Sequence, residues 1–189
     1  AWLLTHFLFF KVPLLRPDAF LRRTLWIPLL LGSRAMAIAC LAALALAVAL
    51  FLPRSGVFLE SAAPFIALSG AFKLALALVL VKACHEFSHA WAAAVRGVRV
   101  RSMGIAFMVM TPIPYCDVTD AWLLDRRKRL AISFAGVKTE LSLAAFALLG
   151  WCLAPPGAGR DVLLFLCSAS VVSTLLTNLN PGVRFDGYY

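Results

Sequence analysis

The residues best suited to chemistry are two histidines with a glutamate between them, in the run His85-Glu86-Phe-Ser-His89. Residues four apart share one face of an α-helix, so both imidazoles can reach a single zinc ion. The glutamate beside the first histidine is then placed to accept a proton from water that the metal activates. The spacing predicts His85 and His89 as metal ligands and Glu86 as the catalytic base of a hydrolytic site.

Two histidines buried as ordinary core residues would give the same pattern by accident. The chain has three histidines, and two of them fall at this spacing with the glutamate in place. They also lie in an apolar stretch, where an acid at mid-membrane costs at least about 2.5 kcal/mol and is therefore usually functional. These features favour a zinc site over accidental packing.

A third candidate ligand, Asp186, lies near the end of the chain. Pro181 and Gly182 are expected to break the preceding helix at its cytoplasmic end, so that the freed backbone lines a polar cavity. Asp186 follows in a short irregular segment and can complete the site of one zinc ion. Asp117 and Asp120 are rival acids, yet a polar loop after two prolines is an ordinary place for solvated carboxylates.

The elements that position these residues are predicted from composition. The 189 residues are 62% hydrophobic and 14% charged, with a mean hydropathy of +0.90, which excludes an ordinary soluble domain. We expect an all-α polytopic membrane protein with about four transmembrane helices. The predicted spans are Ala35–Leu52, a segment from about Pro64 to Val95, Leu130–Leu153 and Val162–Leu179.

Two further segments complete the predicted organisation. Residues 1–34 mix apolar runs with prolines, tryptophans and basic residues, which predicts an interfacial arm, with a broken fifth span as the alternative. Between the second and third spans, Val98-Arg-Val-Arg alternates with period two and an apolar run follows to residue 110, so a short β hairpin or re-entrant segment is expected. Residues 35–189 would form the membrane-embedded core, and we expect the sequence to be part of a longer protein.

The net charge of +9 is explained by topology and does not predict nucleic-acid binding, because the basic residues are not interleaved with aromatics on one surface. Lys and Arg are enriched in cytoplasmic loops of membrane proteins. Twelve lie in the 1–34 arm and the 96–129 loop, whereas the opposite loops contain only Arg54 and Arg160. The count places the arm, the 96–129 loop and the zinc site near the cytoplasmic face.

The two motifs together resemble the site-2 protease family of intramembrane zinc metalloproteases. That family combines HExxH on one core helix with NxxPxxxxDG at the end of another, and Asn178, Pro181, Asp186 and Gly187 match the fixed positions of the second pattern. The stretch at 115–122 and the ending FDGYY look most like a bacterial branch of peptide zinc metalloproteases, often joined to a secretion-adaptor segment. The resemblance implies Asp186 as third ligand, Asn178, Pro181 and Gly187 as supporting residues, and a bacterial plasma membrane location.

One departure from the family pattern concerns Glu140. Many members have a Gly-Pro pair followed by an asparagine in the third span, and here the run is Gly136-Val-Lys-Thr-Glu140. Glu140 could replace that asparagine near the substrate, or it could pair with Lys138 or another buried cation as structure. Lys82 is interpreted as a snorkelling or paired residue.

The predicted activity is hydrolysis of a membrane-associated or exported peptide by a zinc-dependent intramembrane endopeptidase. Its partners would be membrane lipid, a peptide or membrane-protein substrate and components of a secretion system. A helical substrate must unwind, and we expect the Val98–Ile105 edge to hold it as an added strand. The alternative is a non-proteolytic zinc-binding subunit of a peptide secretion system, although such a subunit would not need Glu86 as a base.

Overall fold

A computed structural model of the chain describes residues 9–61, 67–108 and 111–175. This part is mostly helical and contains a small three-stranded sheet. The strands are β1 (Phe9–Leu15), β2 (Met103–Met108) and β3 (Thr111–Cys116). The α-helices are α1 (Asp18–Arg23), α2 (Trp26–Leu31), α3 (Arg34–Phe51), α4 (Ser55–Ser61), α5 (Leu68–Val95), α6 (Arg126–Leu153) and α7 (Ala158–Ser173).

Three helical stretches are long and apolar enough to cross a membrane: the continuous stretch Arg34–Ser61, α5 and α6. Each has 28 residues, about 42 Å of helix, which exceeds the roughly 30 Å hydrocarbon core. Large apolar side chains project from them, with Leu41 at 68% and Phe72 at 71% exposure. The predicted helices at these three places are confirmed. The fourth predicted span corresponds to α7, which has 16 residues, so a count of four spans stays a prediction.

The chain divides into two compact units, and the long helices α5 and α6 contribute to both. The described residues of the first, here called the sheet unit, are 9–30, 85–108 and 111–136. Those of the second, the helical unit, are 31–61, 67–84 and 137–175.

The described part of the N-terminal arm supplies β1, α1 and most of α2 to the sheet unit. Helices α1 and α2 have six residues each, about 9 Å of helix apiece, and the broken fifth span stays a prediction. Whether the arm lies at the membrane interface stays a prediction.

The sheet has the order β1-β2-β3, and both pairings are antiparallel. Both outer strands contain proline, which lacks a backbone donor and is therefore found at sheet edges. Gly104 in the central strand allows β1 to approach closely, because a Cβ there would lie 2.1 Å from the Val12 carbonyl oxygen. The pairing register shifts beside it, between Pro13 and Leu15.

The predicted hairpin between the second and third spans is confirmed as β2 and β3, whereas the predicted substrate edge at Val98–Ile105 is wrong. Residues 98–102 form no strand, and β2 is bonded on both sides. The alternation of Val98 and Val100 instead anchors the chain to the core, where these side chains are 7% and 1% exposed. The outer edges of the sheet belong to β1 and β3.

Helix α5 ends at a glycine C-cap that turns the chain toward the sheet. Gly97 has φ of 76°, a left-handed conformation that favours glycine. The Gly97 and Val98 amides donate to the carbonyls of Ala94 and Ala93, both at 3.0 Å, which is the Schellman pattern. Ala93 and Val98 also share the sheet unit's core with Leu21 and Ile132, so the cap fixes the end of the helix that carries the two histidines.

The helical unit has a buried polar cluster centred on Glu140, which is 0% exposed. Lys82 Nζ lies 3.2 Å from Glu140 Oε1, and the Ser173 hydroxyl donates to the same oxygen at 2.9 Å. The Thr174 hydroxyl donates to Oε2 at 2.6 Å. A buried carboxylate requires such partners, so the cluster ties α5, α6 and the end of α7 together.

We expect Thr174→Val to destabilise the protein by about 1 kcal/mol. The substitution keeps the side-chain shape and removes the donor to Glu140 Oε2. The measurement is the midpoint of unfolding in detergent. Ser61→Ala is the control, because its hydroxyl donates to the Val57 carbonyl at an exposed position. Equal midpoints for the two variants would contradict a stabilising role of the Thr174 bond.

Candidate metal centre

The two histidines of the HExxH motif lie on α5 within the sheet unit, and both side chains are buried. His85 is 2% exposed and His89 is 6% exposed. The helix turn that follows contains Ala90 and Ala93, each 0% exposed, and these small side chains let neighbouring elements approach closely. This packing holds both imidazoles away from solvent.

The imidazole rings face each other through their Nε2 atoms, which are 2.9 Å apart. The ring centroids are separated by 4.6 Å and the planes are inclined by 76°. Nδ1 of His89 lies 2.8 Å from the Ile132 carbonyl oxygen. Since a carbonyl can only accept, Nδ1 carries the proton and Nε2 of His89 presents its lone pair toward His85.

The spacing of these two nitrogens is compatible with two of the four ligand positions of a tetrahedral zinc ion. Two Zn–N bonds of about 2.05 Å at a tetrahedral angle place the nitrogens about 3.3 Å apart. The observed separation of 2.9 Å needs only a small rotation of either ring to reach that value. The carbonyl of Ile132 fixes the tautomer and orientation of His89, a second partner that metal-binding histidines typically have.

Gly136 on α6 makes room for the His85 ring. A Cβ at this position would lie 2.3 Å from Cε1 and 2.4 Å from Nε2 of His85. Any side chain larger than hydrogen would therefore displace that imidazole. The sequence pattern around Gly136 drew attention to Glu140, and the direct role of the glycine was missed, although a glycine in an apolar helix signals close packing.

Gly136→Ala is expected to weaken zinc retention about 10- to 100-fold, because the new methyl group would push His85 away from His89. The measurement is zinc per chain after dialysis against a graded series of chelator concentrations. The matched control is Gly150→Ala on the same helix, whose Cβ would meet the movable Leu163 side chain at 3.1 Å. Normal zinc retention by Gly136→Ala would show that the observed position of His85 is not needed for binding.

Glu86 follows His85 on α5 and is half-buried. The pKa of the Cys116 thiol is raised, first by burial and then by the charges of Glu86 and Asp117. The Cys116 side chain packs against the core of the sheet unit. None of the five cysteines, all within the described residues, forms a disulfide.

Asp117 and Asp120 are occupied by local contacts. Asp117 Oδ1 accepts from the Thr119 hydroxyl at 2.6 Å and from the Thr119 amide at 3.1 Å. The Thr119 hydroxyl lowers the pKa of Asp117, with further lowering by that amide and by the charges of Lys11 and Arg101. Asp120 pairs with Arg101 at 2.6 Å. These contacts agree with the interpretation of both acids as ordinary loop residues.

Glu140 belongs to the polar cluster of the helical unit, where it pairs with Lys82. This contact supports the structural interpretation of Glu140, with Lys82 as the buried cation in place of the exposed Lys138. Lys82 is paired, as predicted.

The other predicted site residues, Asn178, Pro181, Asp186 and Gly187, lie outside the described residues. Within the described ranges no three His, Cys, Asp or Glu side chains converge on one point that could hold a metal. The structure thus brings two of the three predicted ligands together, and Asp186 stays a prediction. Comparison of the chain with models of protein families, with curated proteins and with solved structures finds no match.

Proposed function

We propose that the protein is a zinc-dependent intramembrane endopeptidase related to the site-2 proteases. The observation that carries the proposal is the facing pair of imidazole nitrogens, 2.9 Å apart, on a helix long and apolar enough to cross a membrane. Burial of such groups in a membrane helix is costly, which favours a functional site over a packing accident.

Each of the predicted site residues has a proposed role in peptide hydrolysis. His85 and His89 would hold the ion together with Asp186, and the Ile132 carbonyl keeps His89 in the tautomer that presents Nε2. Zinc, when bound, supplies Lewis acidity toward water and the scissile carbonyl. Glu86 accepts the proton of the attacking water and passes it to the leaving amine. Burial of the two imidazoles limits the access of bulk water.

The substrate is a membrane-associated or exported peptide that unwinds before cleavage. The unfolded segment can add to the sheet along an outer edge, at β1 or β3, because both edges of β2 are already paired.

The test is cleavage of a single-span membrane peptide by the purified protein, before and after removal of zinc. We expect about one zinc ion per chain, loss of cleavage after chelation and recovery after zinc is restored. Stoichiometric zinc with no cleavage of any candidate peptide would instead support the non-proteolytic secretion subunit.

The proposed location is a bacterial plasma membrane, with the site near the cytoplasmic face. The twelve-to-two distribution of Lys and Arg predicts that a reporter fused within residues 120–129 reads cytoplasmic. A reporter within residues 154–161 should read outside, because α6 lies between the two positions. If both reporters lie on one side, α6 does not cross and the proposed topology fails.

A further inference from the structure

The sheet unit has a cavity of about 560 Å³ lined by Pro13, Arg16, Arg99, Arg101, Ser102 and Asp120. Its volume falls in the range of roughly 300 to 1,000 Å³ that is usual for ligand sites. Three of its six lining residues are arginines, and none of the six belongs to the proposed metal centre. The cavity is therefore a separate candidate binding site.

Two of these arginines, Arg99 and Arg101, alternate in the sequence with two buried valines. Val98 and Val100 are 7% and 1% exposed in the sheet unit's core, whereas Arg99 and Arg101 are exposed. The stretch is held at its end by two backbone bonds between residues 101–102 and Asp117, at 3.3 Å and 2.9 Å. The guanidinium groups therefore extend from a fixed backbone.

The charge balance of the cavity favours an anion. Asp120 accepts from Arg101 at 2.6 Å, and the side chain of Arg101 remains 59% exposed. Three arginines and one aspartate leave a formal charge of about +2. Guanidinium groups bind phosphate oxygens through paired N–H donors, which makes phosphate a well-matched ligand.

Exposed apolar side chains adjacent in sequence to the cavity lining indicate the source of that phosphate. Leu14 and Leu15, which lie between the lining residues Pro13 and Arg16, are 60% and 53% exposed. Apolar side chains next to cations are typical of surfaces that meet lipid headgroups. We propose that Arg16, Arg99 and Arg101 form a binding site for the phosphate of an anionic lipid headgroup.

The test uses the purified protein in a neutral maltoside detergent, titrated by calorimetry with short-chain phosphatidylglycerol, short-chain phosphatidylcholine or inorganic phosphate. Phosphatidylglycerol should bind most tightly. Arg16→Gln and Arg99→Gln should each weaken its binding about fivefold, the effect of one arginine near an anionic surface. Asp120→Asn should strengthen it, because Arg101 loses its competing counter-ion. The opposite directions separate a binding effect from general damage to the fold.

The matched control is Arg127→Gln, which removes one exposed positive charge from α6 in the same unit and should change the affinity less than about twofold. An equal loss in Arg127→Gln and Arg99→Gln would overturn the site in favour of diffuse attraction. Equal affinity for inorganic phosphate and phosphatidylglycerol would overturn the lipid source. Tighter binding of a polyglutamate peptide than of either lipid would assign the cavity to an acidic peptide instead. None of these results bears on zinc binding by His85 and His89.

Discussion

Replacing Glu86 with glutamine is expected to abolish proteolysis while leaving about one zinc ion per chain. The amide keeps the size and much of the polarity of the side chain but cannot accept a proton from water. General-base catalysis contributes about 10²- to 10⁴-fold, so cleavage should fall by about a thousandfold. Zinc binding should persist because the predicted ligands are His85, His89 and Asp186, and Glu86 is not one of them.

The measurement combines zinc content with the initial rate of peptide cleavage on the same preparation. Cys116→Ser is the control, because Cys116 packs against the core of the same unit and has no proposed role in the reaction. Its rate should stay within about threefold of the unsubstituted protein. Cleavage by a Glu86→Gln protein free of contaminating protease would exclude Glu86 as the base.

The long helices could be predicted because hydropathy integrates over many residues. The first span was predicted at Ala35–Leu52 and is found as α3, Arg34–Phe51. The third was predicted to begin at Leu130, whereas α6 begins at Arg126. Its first turn is basic, and the low hydropathy of these residues kept them out of the predicted span. Asp125 precedes the turn, where a negative charge suits the helix dipole, and pairs with Lys128 at 3.4 Å.

The sheet was predicted only in part because strand pairing is non-local. β2 and β3 are adjacent in sequence and were predicted as a hairpin. β1 lies some ninety residues earlier, and Pro13 favoured an irregular interfacial arm over a strand. The same proline is compatible with an edge strand, and Gly104 supplies the matching signal on β2, since the glycine lets β1 approach. Neither residue identifies its partner without the fold.

Within the site, the proximity of the two histidines could be predicted from their spacing alone, because side chains at i and i+4 are neighbours on any α-helix. Contacts from α6 could not be predicted in the same way. Ile132 contributes a backbone carbonyl. Every residue has this group, so the residue type does not indicate the contact. Gly136 contributes space for the His85 ring, because it has no side chain. Both depend on how α6 packs beside α5, which residue spacing does not determine.

Asp186→Ala is expected to reduce zinc retention by more than about 100-fold, because it removes an anionic ligand and even losses among the partners of ligands cost 10- to 100-fold. The prediction rests on the sequence, since Asp186 lies outside the described residues. The rival carboxylates, which are among the described residues, have other partners. Asp117 accepts two bonds from Thr119, and Asp120 pairs with Arg101.

The decisive experiment compares zinc per chain after dialysis against a weak chelator in Asp186→Ala, Asp117→Ala, Asp120→Ala and Glu140→Gln. Asp117→Ala and Asp120→Ala should retain zinc within about twofold. Glu140→Gln should lower the midpoint of unfolding in detergent, because the Glu140 carboxylate is bonded to Lys82, Ser173 and Thr174. Its effect on zinc retention should be small. Zinc retention by Asp186→Ala, with loss in one of the other three, would assign the third ligand to that residue. It would also remove the strongest reason for relating the chain to the site-2 proteases, since the aspartate is the one ligand that the second motif contributes.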